Sequence, residues 1–247
     1  MLASAITVAQ SNPPSQQKQI APGRTIGIAA GAPLDPFPGG VGSYWIYEGV
    51  VRSQGAGNKV EEKKVRSRMS LARTLRREGA TAVILTGFPG DVDWFHADWS
   101  SNPPAKESMF VRTDDGGIYL LEWETGNPEQ EFADSHIPLP QLLDQADLLL
   151  RWPPIVGAQP GGGNCPDRSD DMYCWVLHPT SRVSLREIKG VKPGSYVAYS
   201  LAYITNPDSQ SIDIVPGVGV TAYDYSHHGT VGDVELHLVE AHLVEAK

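Results

Sequence analysis

The chain has 247 residues, of which 40% are apolar and 20% charged, and its formal net charge is −9. That length can bury a sizeable core in one large domain or two small ones. An acidic balance disfavours nucleic acid and anionic membranes, which need a basic face, and no run approaches the roughly 18 apolar residues of a membrane-spanning helix.

Met1 to Gln10 is a short apolar run with small residues, and polar residues Ser11 to Gln19 follow it. The pattern fits either the tail of a secretory signal peptide or a structureless leader. Residues 1–37 are therefore expected to form a leader, and residues 38–247 a single β-rich domain. The 25 glycines and 20 prolines imply many turns between short elements.

Val41 to Val51 reads as a strand, with Trp45, Tyr47 and Gly49 on one face. Val60 to Leu75 could be a helix or a strand with one basic face. The turn Glu78-Gly79 and the plain strand Ala80 to Thr86 favour a hairpin. Phe88 to Pro104 is a long loop, and Met109 to Arg112 pairs with Ile118 to Glu122 around an Asp-Gly turn. Pro138 to Leu150 is predicted as one helix, with Leu142, Leu143, Ala146 and Leu149 at helical spacing. After a Pro/Gly loop, strands are expected at Met172 to Leu177, Arg182 to Ile188 and Ser195 to Ile204.

Ser211 to Glu240 reads as two strands around a tight connection at His228 to Gly232. The first, Ile212 to Ala222, is expected to bend at Pro216-Gly217. The second alternates Val234, Leu236 and Leu238 with polar residues. Together these elements predict an all-β fold, a strongly curved antiparallel sheet or β-sandwich of about ten strands with one short helix.

Four strings stand out: Val41-Gly-Ser-Tyr-Trp-Ile-Tyr-Glu-Gly49, Asp171-Met-Tyr-Cys-Trp-Val176, Val215-Pro-Gly-Val-Gly-Val220 and Tyr225-Ser-His-His-Gly-Thr230. They resemble a family of secreted or lipoprotein-like bacterial β-domain proteins, with a VGxxWxY opening strand and a PGVG…YxHHGT closing hairpin. The resemblance implies an extracytoplasmic β-rich domain and brings no assigned catalytic residues. This chain lacks a lipobox cysteine near its start.

Candidate chemistry lies in three places. Asp91, Asp93 and His96 share a loop with Trp94 and Phe95, and close oxygen and imidazole ligands could hold a metal or do acid–base work. Their spacing is not that of an EF-hand. His227 and His228 could join a metal site if a turn intervenes, or could be turn histidines bonded to backbone or to Asp224. The aromatics Tyr44, Trp45, Tyr47, Trp175, Tyr196, Tyr199 and Tyr203, with Tyr223 and Tyr225, could line a concave sheet face for a ligand, or fill an ordinary core.

Cys165 and Cys174 cannot alone close a tetrahedral zinc site. A disulfide across the glycine-rich loop is the expectation, with two free thiols as the alternative. The reading that follows is a non-catalytic, secreted or periplasmic binding or interaction module. Its partner would be a hydrophobic small molecule on the concave face or another envelope protein, with no cofactor. The rivals are a metal-dependent hydrolase built on the His/Asp cluster and a purely structural envelope protein.

Overall fold

Alternation of apolar and polar side chains sets the longest strand. In the computed structural model, β2 (Val60–Arg77) buries Val65, Ser67, Met69 and Leu71 and turns the intervening arginines to solvent, as period-2 side-chain geometry requires. The structure describes residues 35–95, 106–121, 127–144, 146–151, 156–158 and 172–245. These fall in one compact unit, Pro33–Lys247.

β1 (Tyr44–Gln54) pairs with the first half of β2, and β3 (Ala80–Thr86) pairs with its second half. Register slips between Leu71 and Arg73 where one partner gives way to the other. A bulge of this kind bends a strand and increases its twist. From β3 the sheet continues through β4 (Glu107–Thr113), β5 (Gly117–Leu121) and β6 (Asp147–Arg151). On the other side of β1 lie β13 (Gly232–His242), β12 (Gly219–His227), β11 (Asp208–Val215) and β10 (Gly194–Ile204). The short strands β8 (Trp175–Leu177) and β7 (Gly157–Ala158) complete that side, while β9 (Ser181–Leu185) pairs with one end of β10. All these ladders are antiparallel, and β6 approaches β8. The result is a nearly closed, barrel-like sheet.

Two clusters of buried side chains follow. The interior of the barrel holds Trp45, Tyr47, Met69, Leu85, Tyr199, Leu201 and their neighbours. A second cluster lies outside β3–β5, where α1 (Pro128–Ala133) and α2 (Leu139–Leu143) contribute Phe132, Leu142 and Leu143. Strands between the clusters are buried on both faces and lose their alternation. In β5, Ile118 and Leu120 face the interior, while Tyr119 and Leu121 face the helices. Asp35 to Phe37, the end of the expected leader, lie on this sheet: Phe37 is buried and packs at a tilt against Phe110 with ring centroids 4.5 Å apart.

Two sequence expectations are corrected. The helix expected over Pro138 to Leu150 stops at Leu143, and Asp147–Arg151 is a strand paired with β5. Leu148 belongs to the outer cluster and Leu149 and Leu150 to the inner one; such a doubly buried run has no strand periodicity to read. Pro216-Gly217 does not bend one strand but reverses the chain, so that β11 and β12 form a hairpin of their own.

Gly49 and Gly219 are among the glycines required by close approach. A Cβ on Gly49 would lie 1.8 Å from the Glu235 carbonyl oxygen of β13. Gly219 has φ +111°, and its Cβ would lie 2.6 Å from Trp45 Nε1. Gly49→Ala and Gly219→Ala are each expected to cost about 2 kcal/mol or more, measured as a lowered midpoint in denaturant unfolding.

Candidate functional site

Cross-strand register grades one end of the barrel interior from apolar to polar. In the deepest row, Leu201, Ile212, Tyr223, Leu236 and Gly49 lie opposite one another across β10, β11, β12, β13 and β1. The next row carries Tyr203, Gln210, Tyr225, Val234 and Val51. At the rim, Asp208 of β11 faces His227 of β12. Residues two apart on a strand share a face, so these rows stack toward one mouth.

The segment Gly87 to Phe95 folds over this mouth. Phe88 is anchored against Phe110, ring centroids 4.9 Å apart, and the buried Trp94 donates its indole N–H to the Pro89 carbonyl at 2.8 Å. Phe95 then reaches Tyr225, with centroids 5.7 Å apart. Between the segment and the sheet is a cleft of about 300 Å³, with Tyr203, Tyr223 and Tyr225 on one wall and Val92, Asp93 and Phe95 on the other. Asp208 and Gln210 complete the sheet side.

The polar groups are connected. Tyr225 Oη donates to Asp208 Oδ1 at 2.6 Å, and His227 Nδ1 lies 2.7 Å from the same oxygen. Partial burial pushes the Asp208 carboxyl up, but the bonds from Tyr225 and His227 and the nearby His227 and His228 outweigh it and hold its pKa below the usual value. Burial, and then the bond to Asp208, pushes the Tyr225 phenol up to about 12. Burial raises the Tyr223 phenol, helped by the charge of nearby Asp91. Asp91 itself is raised by burial, with Ser108 and Lys106 acting against the shift.

The structure brings the loop and hairpin candidates to one place. Asp93, Tyr223 and Tyr225 line the cleft, Asp91 lies near Tyr223, and His227 stands at the rim. His228 is exposed, and its backbone N–H bonds to the Pro207 carbonyl at 2.8 Å. His96 lies outside the described residues. Among the described residues no group of three or more His, Cys, Asp or Glu is placed to hold a metal.

The remaining aromatics are elsewhere. Trp45 and Tyr47 have 0% exposure, so their surface is used up in the core. Trp175 is buried against Tyr203, ring centroids 5.4 Å apart, behind the cleft wall. Tyr44 faces outward, where it donates to Glu240 at 3.0 Å and stacks on His242. Cys174 is buried, and Cys165 lies outside the described residues. Sequence reasoning missed Asp208 and Gln210, which only strand register places beside Tyr225. A larger hollow of about 590 Å³ lies toward the β2–β3 turn, between Phe37, Phe110 and Arg112, and none of the sequence-predicted residues lines it.

No family model matches the chain, and no curated protein matches it. Two solved structures are similar. One is a candidate exported protein with a YmcC-like fold from Bacteroides fragilis NCTC 9343, 11% identical over 85% of this chain and 100% of that one, with a TM-score of 0.40. The other is a candidate lipoprotein from Parabacteroides distasonis ATCC 8503, 10% identical over 86% of this chain and 100% of that one, with a TM-score of 0.39. Likeness at this level leaves the function to the site itself.

The two carboxylates give opposite pH signatures. Asp208 has a depressed pKa, so its stabilising contribution is present above the unfolded value of about 3.9 and is lost as pH falls through the folded value. Asp91 has a raised pKa, so the fold favours its protonated form and loses stability as pH rises past the unfolded value. In thermal melts from about pH 2 to pH 7, Asp208→Asn should flatten the acid-side fall in Tm, and Asp91→Asn should raise Tm at neutral pH.

Proposed function

We propose that the protein is a non-catalytic, extracytoplasmic binding module that holds a small ligand with an apolar body in the cleft at the barrel mouth. The observation that carries this reading is the convergence of Tyr203, Tyr223 and Tyr225 on a cavity of about 300 Å³ whose rim supplies Gln210 and Asp208. Mouths of β-barrels favour such sites, because the closed sheet fixes the wall and the rim supplies orienting polar groups. The ligand sits at this end rather than against Trp45 and Tyr47, whose rings are enclosed.

The extracytoplasmic location and a Cys165–Cys174 disulfide belong to the same proposal. Cys174 does not stand as a free thiol, and the chain has two cysteines. A stable disulfide implies an oxidising compartment. The hydrolase reading has one feature in its favour, the Asp208–His227 pair, which could orient an imidazole as a base. It lacks a metal-ligand set among the described residues.

Native and denaturing mass spectrometry of protein produced in an oxidising compartment tests these claims together. The native mass should exceed the denatured mass by that of a small ligand, and Tyr225→Ala should lose most of the excess. A native mass equal to the denatured mass, with no apolar small molecule restoring a difference, would sink the binding reading. Reduction should add the two thiol hydrogens to the denatured mass; an unchanged mass would sink the disulfide.

A further inference from the structure

We infer that the ligand of the cleft is an organic cation, an ammonium or guanidinium group on an apolar body; this rests on the cleft being the binding site proposed above. The walls supply π faces from both sides: Tyr203, Tyr223 and Tyr225 from the sheet and Phe95 from the covering segment. Aromatic faces attract cations through their negative quadrupole, and the attraction grows as water is excluded.

Carboxylates stand on both lips of the same cleft, Asp93 on the covering segment and Asp208 on β11. No lysine or arginine is among the described residues that line it. Both bonds to Asp208, from Tyr225 and His227, go to Oδ1. Oδ2 receives none from the described residues, so one oxygen of a held carboxylate is left to accept from a ligand. An ammonium or guanidinium donor there would make a charge-assisted bond without reorganising the site.

Other ligand chemistries fit less well. An anion would meet Asp93 and Asp208 directly, with Asp91 near Tyr223. A wholly apolar ligand would take water from Asp208 Oδ2 and return no donor, at the cost of an unsatisfied acceptor.

Three probes of one size separate these cases: benzyltrimethylammonium, benzyl alcohol and benzenesulfonate, titrated into the full chain and followed by NMR at the Tyr203, Gln210 and Tyr225 resonances. The cation should bind about tenfold more tightly than the alcohol, and the sulfonate more weakly than either. Asp208→Asn should reduce the cation's advantage to about threefold or less. Asp93→Asn, at an exposed position, should reduce it in the same direction and serves if the first variant unfolds. Equal binding of cation and alcohol, or preference for the sulfonate, would overturn the cation assignment and leave the cleft as a binding site. If none of the three moves these resonances, the cleft reading fails and the cation assignment falls with it.

Discussion

Two hydrogen bonds across the barrel interior fix where the protein is solid and where it is open. β12 pairs with β13 only over Ala222 to Ser226, so the preceding residues run beyond that ladder. The carbonyls of Val218 and Val220 are taken up by side chains of β1: Trp45 Nε1 donates to the first at 2.6 Å, and Tyr47 Oη donates to the second at 3.0 Å. Both rings are enclosed, and a buried carbonyl without a donor is costly. The indole and phenol thus satisfy the backbone and fill the space where the ladder parts. Gly219 lets the turn come down onto Trp45, and the β1 register slips between Ile46 and Tyr47 in the same region.

The two rings take up this part of the interior, and the cleft lies further along β1, toward the other end. Moving from Tyr47 along the interior of β1, Gly49 faces Leu236 and Val51 faces Val234. The large side chains of those rows come instead from β10 and β12, as Tyr203, Tyr223 and Tyr225. The Tyr225 hydroxyl donates to Asp208 at the polar rim, and the Tyr223 hydroxyl approaches Gln210. The segment Gly87 to Phe95 supplies the opposing wall, held by Phe88 and Trp94. A site assembled from three strands and an anchored segment is stiff, which limits the entropy lost on binding.

Much of this was legible in the sequence, and the losses have physical causes. β2 is readable because burial on one face leaves alternation, and the hairpins around Glu78-Gly79 and Asp114 to Gly117 because their turn residues are diagnostic. Leu148, Leu149 and Leu150 were misread because burial on both faces erases that signal. Pro216-Gly217 marks an interruption in the sequence, but a bend and a reversal share the same residues. At the site, the sequence points to Tyr203, Tyr223, Tyr225, Asp93 and His227. The partner expected for the histidines is turn backbone or the neighbouring Asp224, whereas Asp208 on the adjacent strand holds His227. Pairing register, which chain proximity does not encode, decides that partner.

The most direct test of this account is the unfolding free energy of Tyr47→Phe. That substitution keeps the ring and removes only the donor to the Val220 carbonyl. A loss of about 1–3 kcal/mol would show that the buried carbonyl depends on this phenol. A variant as stable as the parent would mean that the carbonyl finds another donor, and that the interior is not held closed by these two side chains.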